Sequence, residues 1–225
     1  MEISESKLRI NSYIIQSQEE EIKRIALELH EGVGQNLFSI LTGLQFVESS
    51  ASQPDMKVYL NEMTQLIEKT IQEIRLLSVE LYPPALTTLG LQPAIKSYIS
   101  LYTNTFGIIV DFETSGNEQF ISEPKRISIF RVFQEAFTNI AKYADTSNIK
   151  MKMYWTEKEL KIHIDDFGKG FHQEELSKNP YALGIAAMKE RMLLTGGTFT
   201  ISSKIGKGTS IEISLPLQGA KESLI

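Results

Sequence analysis

The chain has 225 residues, 42% of them hydrophobic and 23% charged, with a formal net charge of −5 and no cysteine. That length allows one or two domains with a real core. The acidic balance argues against bulk binding to nucleic acid or anionic membranes, and the missing thiols exclude disulfides and thiolate metal sites and fit a reducing compartment. No run of 18 apolar residues predicts a membrane span, and Met1 to Leu8 is too polar for a signal peptide. The expectation is a soluble, cytoplasmic piece, compatible with being the cytoplasmic part of a longer membrane-anchored protein.

From about Glu5 to Ser49 the chain reads as one long amphipathic helix, with Ile22, Ile25, Leu29, Val33, Leu37, Ile40, Leu44 and Val47 forming its stripe. His30 follows Leu29, so it sits about 100° round the helix from that stripe, where solvent or a partner can reach it. Glu31 is next, and Gln35 stands four residues beyond Glu31 on the same face. Gly32 and Gly34 each cost a helix about 1 kcal/mol relative to Ala, which predicts a bare backbone where something approaches closely. Taken alone, His30 reads as an ordinary solvated histidine. Beside a carboxylate, an imidazole can be held in one tautomer and act as a nucleophile.

Ser50 to Asp55, with Pro54, is a break, and Met56 to about Leu81 is a second helix. Two helices cannot enclose a core, so such a hairpin is expected to form a four-helix bundle by dimerising. Tyr82-Pro83-Pro84 ends the second helix, and residues 83–90 read as a linker. A helix over Leu91 to Phe106, a strand over Ile108 to Thr114 and a helix over Glu123 to Ala144 follow. Alternating strands then run through Ile149 to Trp155, Leu160 to Ile164, Phe199 to Ile201 and Ile211 to Leu215, with a helix at Leu183 to Thr195. The fold class is α+β: a helical hairpin of about residues 1–82, then an α/β sandwich of about 91–219 with helices on one face of a mixed sheet, and a tail of 220–225.

Three stretches of the second half carry chemistry. Glu135, Asn139 and Lys142 recur at i, i+4 and i+7, so a carboxylate, an amide and an ammonium share one helix face, suited to a cation and the phosphates it bridges. The same residues are also an ordinary solvated face. Asp166-Phe167-Gly168-Lys169-Gly170 permits a tight turn, and a buried Asp166, an acceptor only, would take an adenine amino group and repel a guanine carbonyl. Gly184 opens a helix, and Gly206-Lys207-Gly208-Thr209 precedes the last strand. Both offer backbone N–H groups to phosphate, although the second is equally a hairpin turn. Their order and spacing together are the signal.

The chain resembles the sensor histidine kinases of two-component systems, in particular the NarL/DesK-type subfamily. Arg24-Ile-Ala-Leu-Glu-Leu-His30-Glu-Gly-Val-Gly-Gln35 is similar to its phosphoacceptor box. Leu81 to Leu91 resembles its connector, Gln134 to Lys142 its N box, Asp166 to Phe171 its first glycine box, and Leu183 to Arg191 with Gly206 to Thr209 the later glycine elements. The resemblance implies a dimerisation and phosphoacceptor domain followed by a GHKL-type ATP-binding domain. His30 would be the phosphoacceptor, Glu31 its activating base, and Gln35 the residue that orients water when phosphate is removed from the partner's aspartate. It also implies ATP and Mg²⁺ as cofactors, with Asn139 and, through water, Glu135 holding the metal. Lys142 would touch phosphates and Asp166 the adenine, while Gly168, Gly170, Gly184, Gly208 and Thr209 line the nucleotide. Residues between Phe171 and Gly184 would form a short ATP lid. The partners implied are a response regulator receiver domain and a second copy of the chain, with no direct nucleic acid. Two positions depart from the family: Tyr143 replaces a histidine after the N-box lysine, and Glu31 stands where Asp is commoner. Two other readings compete: a non-catalytic nucleotide-binding scaffold, and an ATPase or serine kinase of the same fold.

Overall fold

The computed structural model describes residues 2–172 and 181–217. It divides into two compact units, Met1–Thr88 and Leu89–Ile225.

The first unit is helical. Helix α1 (Glu2–Leu27) passes through a widened turn (Glu28–Val33) into α2 (Gly34–Ser50), and α3 (Pro54–Leu81) returns after three residues. Pro54 starts α3 at its first position, where its fixed φ and missing N–H cost nothing. Ala26 and Leu41 are buried with Leu60, Thr64, Ile71 and Ser78 of α3, and these residues form the hairpin's internal seam. The stripe read from sequence is covered only in part: Ile25, Val33, Ile40 and Val47 stay exposed, as do Tyr59, Leu66 and Leu77 of α3. A hairpin leaves one flank of each helix with no neighbour.

After Tyr82-Pro83 the segment read as a linker holds a short helix, α4 (Pro84–Thr88), with Leu86 1% exposed. The Tyr82 hydroxyl bonds Thr87 Oγ1 at 3.1 Å, and the Lys23 ammonium lies 5.5 Å from the Tyr82 ring centroid. With Leu86 buried, this stretch is a folded part of the first unit rather than a free linker.

The second unit opens at Gly90, whose φ of +104° favours glycine, followed by α5 (Leu91–Phe106). The N-terminus of α5 is capped from a distance: Glu118 accepts the Leu91 and Gln92 amides at 2.7 and 3.2 Å. Strand β1 (Ile109–Ser115), helix α6 (Glu123–Asn139), β2 (Asn148–Trp155), β3 (Glu159–Asp166), α7 (Ala182–Leu194), β4 (Thr198–Lys204) and β5 (Gly208–Pro216) complete it. The strands form one mixed sheet in the order β1-β2-β3-β5-β4, with β1 parallel to β2 and the other pairs antiparallel.

Period-2 alternation decides its two faces. Ile149, Met151, Met153, Leu160, Ile162, Ile164, Ile211, Ile213 and Leu215 are buried beneath the helices. Tyr98, Phe130, Phe133 and Phe137 meet at ring separations of 4.1–6.0 Å within that core. The outer face carries Lys150, Lys152 and Lys161 paired with Glu113 and Glu159, and His163 3.8 Å from Glu212. This is the α/β sandwich expected from the sequence.

Candidate functional site

His30 lies in the widened turn of the first unit. There the Gly34 amide reaches back five residues to the Leu29 carbonyl instead of four, a π-type turn of the kind found where helices carry function. His30, Glu31 and Gln35 are all solvent-exposed. Arg24 is held between Glu21 and Glu28, at 2.5 and 2.7 Å, and Glu21 is held below its ordinary pKa by that guanidinium. A shallow groove beside the turn is lined by Arg24, Glu28, Glu31, Gly32 and Asn36. A Cβ built on Gly32 meets nothing within 4 Å, so no neighbour in this chain requires that glycine.

The second unit contains a cavity of about 250 Å³ between α6, α7 and the ends of β3 and β5. Asp166 ends β3 on its wall with 5% exposure. Its carboxylate accepts the Gly168 amide at 2.9 Å, and Thr209, its register partner on β5, also favours the charged form. Burial pushes its pKa up, and the Gly168 amide and Thr209 oppose the rise. A carboxylate so held has acceptor capacity left for a donor from the cavity.

The glycines around Asp166 stand where backbone meets backbone. A Cβ on Gly168 would fall 2.1 Å from the Ala144 carbonyl oxygen, one on Gly170 2.2 Å from that of Lys204, and one on Gly208 2.0 Å from that of Asp166. Gly170 and Gly208 also have positive φ. Lys169 N–H donates to Ala144 at 2.8 Å and Gly206 N–H to Lys169 at 2.8 Å, which fastens the loop after β3 between α6 and the β4–β5 hairpin.

Asn139, Asp166, Gly170 and Thr209 line one cavity. Glu135 stands one turn before Asn139, accepts its side-chain N–H at 3.2 Å, and lines a separate hollow with Gly184, Arg131 and Arg191. Lys142 is exposed and outside the cavity lining, because α6 ends at Asn139 and continues as a wider turn over Ile140–Ala144. That turn changes the angular step between Asn139 and Lys142, so the i, i+4, i+7 face is not continuous. The segment expected to form an ATP lid lies mostly outside the described residues, as does the 220–225 tail.

The cavity has further walls that sequence reading did not assign: Ile140, Phe171, Tyr181, Ile185, Met188, Ile201 and Ile211. Tyr181 lies 5.3 Å from the Tyr143 ring and 4.9 Å from that of Phe171, so three aromatic rings meet at one side. Phe171 directly follows Gly170 and Ile185 directly follows Gly184, which was the signal available for those two.

Comparison with known proteins follows this division. Residues 21–86 match the family described as "Histidine kinase", and residues 125–219 match "Histidine kinase-, DNA gyrase B-, and HSP90-like ATPase". The chain is 32% identical over 220 residues to the signal transduction histidine-protein kinase/phosphatase DegS of Brevibacillus brevis, covering 96% of this chain and 56% of that protein. It is 31% identical over 203 residues to the oxygen sensor histidine kinase NreB of Staphylococcus carnosus (strain TM300), covering 90% and 58%. Among solved structures, the histidine kinase domain of the Erythrobacter litoralis EL346 blue-light activated kinase matches with a TM-score of 0.50 at 12% identity, covering 81% of this chain and 94% of that one, a likeness of fold. The chain belongs to the histidine kinase family, with a histidine-bearing helical region followed by an ATPase-type sandwich. It spans little more than half the length of the curated relatives it matches.

Proposed function

We propose that this chain is the kinase portion of a two-component sensor: it transfers the γ-phosphoryl group of ATP to His30 and then to an aspartate on a response regulator. One observation carries this reading. A chain that presents an exposed histidine on a widened helical turn also carries a purine-sized cavity with a buried, acceptor-bearing carboxylate.

Phosphoryl transfer demands alignment and charge neutralisation more than covalent help. A neutral His30 nitrogen attacks the γ-phosphorus as the bond to the β-bridging oxygen breaks, and ADP leaves with that oxygen. Glu31, its neighbour, holds the imidazole and takes its proton. Asp166 accepts the adenine amino group, while the Gly168–Gly170 turn and Gly208–Thr209 give close backbone approach; Gly184 at the start of α7 offers its end to phosphate. Asn139 and Glu135, linked to each other at 3.2 Å, supply oxygen donors of the hard kind that suits Mg²⁺ shared with phosphates. The metal would neutralise developing charge on the β- and γ-phosphates. Lys142 reaches phosphate from the solvent side.

Two copies complete the helical region. Val33 at the end of the widened turn and Ile40 and Val47 on α2 recur every seven residues and are exposed, and Tyr59 and Leu66 repeat the interval on α3. Pairing these stripes gives a four-helix bundle. The phosphatase activity named for DegS suggests that the same chain removes phosphate from its regulator, with Gln35 orienting water. Among the described residues no helix is long and apolar enough to cross a membrane, which agrees with a cytoplasmic location for this portion.

Incubating the purified chain with γ-labelled ATP and Mg²⁺ tests the proposal. The expected product is acid-labile, base-stable label on the protein that passes to a receiver domain. Base-labile label would assign the site to a hydroxyl side chain instead.

A further inference from the structure

Ser203 is absent from the cavity wall, yet it joins two parts of that wall. It lies near the end of β4, in register with Thr209 of β5. Its hydroxyl oxygen accepts the Phe171 amide at 2.9 Å, stands 3.1 Å from Thr209 Oγ1 and lies 3.0 Å from the Gly208 carbonyl. Phe171 and Thr209 both line the cavity; Ser203 does not.

A serine hydroxyl has one proton and two lone pairs. The Phe171 amide takes one lone pair. Thr209 stands in register with Asp166 on the neighbouring strand, and its hydroxyl offers Ser203 lone pairs. The Ser203 proton therefore goes to Thr209 or to the Gly208 carbonyl, both in the strand that cradles Asp166. In the first arrangement the links point the same way, from Phe171 N–H through Ser203 O–H to Thr209, the register partner of Asp166. Such chains strengthen each bond in turn.

We propose that Ser203 is a positioning residue for the nucleotide: by tying the Phe171 backbone to the Thr209 hydroxyl, it fixes Asp166 as an oriented acceptor and holds the loop after β3 against the cavity. This rests on Asp166 contacting the purine. Ser203 acts on ground-state nucleotide binding, since its contacts are to Phe171, Gly208 and Thr209 beside the cavity.

The test is MgATP titration and steady-state labelling of the whole chain with Ser203→Ala, Ser203→Thr, Thr209→Val, Asp166→Asn and the Ser203→Ala/Thr209→Val pair. Ser203→Ala is expected to weaken ATP binding about tenfold. It should raise KM by the same factor and leave the rate at saturating ATP within about twofold. Ser203→Thr restores binding, and the double variant binds no worse than Thr209→Val alone. Should the alanine variant lose its melting transition, Ser203→Cys, with its weak donor, carries the same expectation. Wild-type affinity in Ser203→Ala, a loss of rate at unchanged KM, or additivity with Thr209→Val overturns the inference while ATP binding by the wild type stands. A wild type that does not bind ATP, or Asp166→Asn binding it normally, overturns the nucleotide reading itself and this inference with it.

Discussion

The carboxylate of Asp166 accepts the amide of Gly168 at 2.9 Å, two residues along the chain, in a residue only 5% exposed. The loop closes on its own acidic residue and holds it in the wall of a cavity. Burial raises the pKa of that carboxylate against the groups that favour its charge, so burial works against the charged form in the fold.

The sign follows from linkage. With the folded pKa above the unfolded one, the native state binds more protons in the interval between them, and stability falls as pH rises through it. Asp166→Asn should therefore flatten this part of the stability–pH curve in the nucleotide-free protein. Near neutral pH its melting temperature should equal or exceed the wild type's, while ATP binding drops at least tenfold. Melting curves across pH, with and without MgATP, check both halves; a variant strongly destabilised at neutral pH would contradict the account.

Gly208 and Gly206 separate steric need from backbone strain. Both have positive φ, but a Cβ on Gly208 meets the Asp166 carbonyl oxygen at 2.0 Å whereas one on Gly206 meets nothing within 4 Å. Gly206→Ala should cost about 1 kcal/mol, from its left-handed backbone alone. Gly208→Ala should cost more, on the order of 3 kcal/mol, and abolish nucleotide binding. Denaturant unfolding of the two variants measures the difference.

Gly32 makes the opposite prediction. Its Cβ position is open, so Gly32→Ala should stabilise the helical unit by about 1 kcal/mol. If the bare backbone beside His30 serves the approach of nucleotide or regulator, the same change should slow labelling of His30. A stabilised variant that labels at the wild-type rate would remove that role.

The sandwich was legible because its strands alternate cleanly: Ile149, Met151 and Met153 are buried, and Lys150 and Lys152 between them reach the outer face. His30's exposure followed from its offset from Leu29. The widened turns at Glu28–Val33 and Ile140–Ala144 were not legible, since one extra residue in a turn leaves the apolar spacing nearly unchanged. Missing the second turn is what made Glu135, Asn139 and Lys142 look like one stripe. The helix at Pro84–Thr88 was hidden by its brevity, and the Ser203 bridge by sequence distance: 32 residues separate it from Phe171.

The exposed stripe of the hairpin predicts its assembly. Ile40 is 52% and Leu66 56% exposed. A paired Ile40→Glu and Leu66→Glu substitution should convert a dimer to a monomer in light scattering at micromolar concentration, since like charges would face across the seam. ATP binding by the second unit should persist. A wild-type monomer would contradict the four-helix bundle.

The central claim is that His30 receives phosphate from a nucleotide held at Asp166. Labelling with γ-labelled ATP in wild type, His30→Gln and Asp166→Asn tests it most directly. The account predicts acid-labile label on the wild type alone, with His30→Gln still binding ATP at wild-type affinity. Label retained on His30→Gln would contradict it.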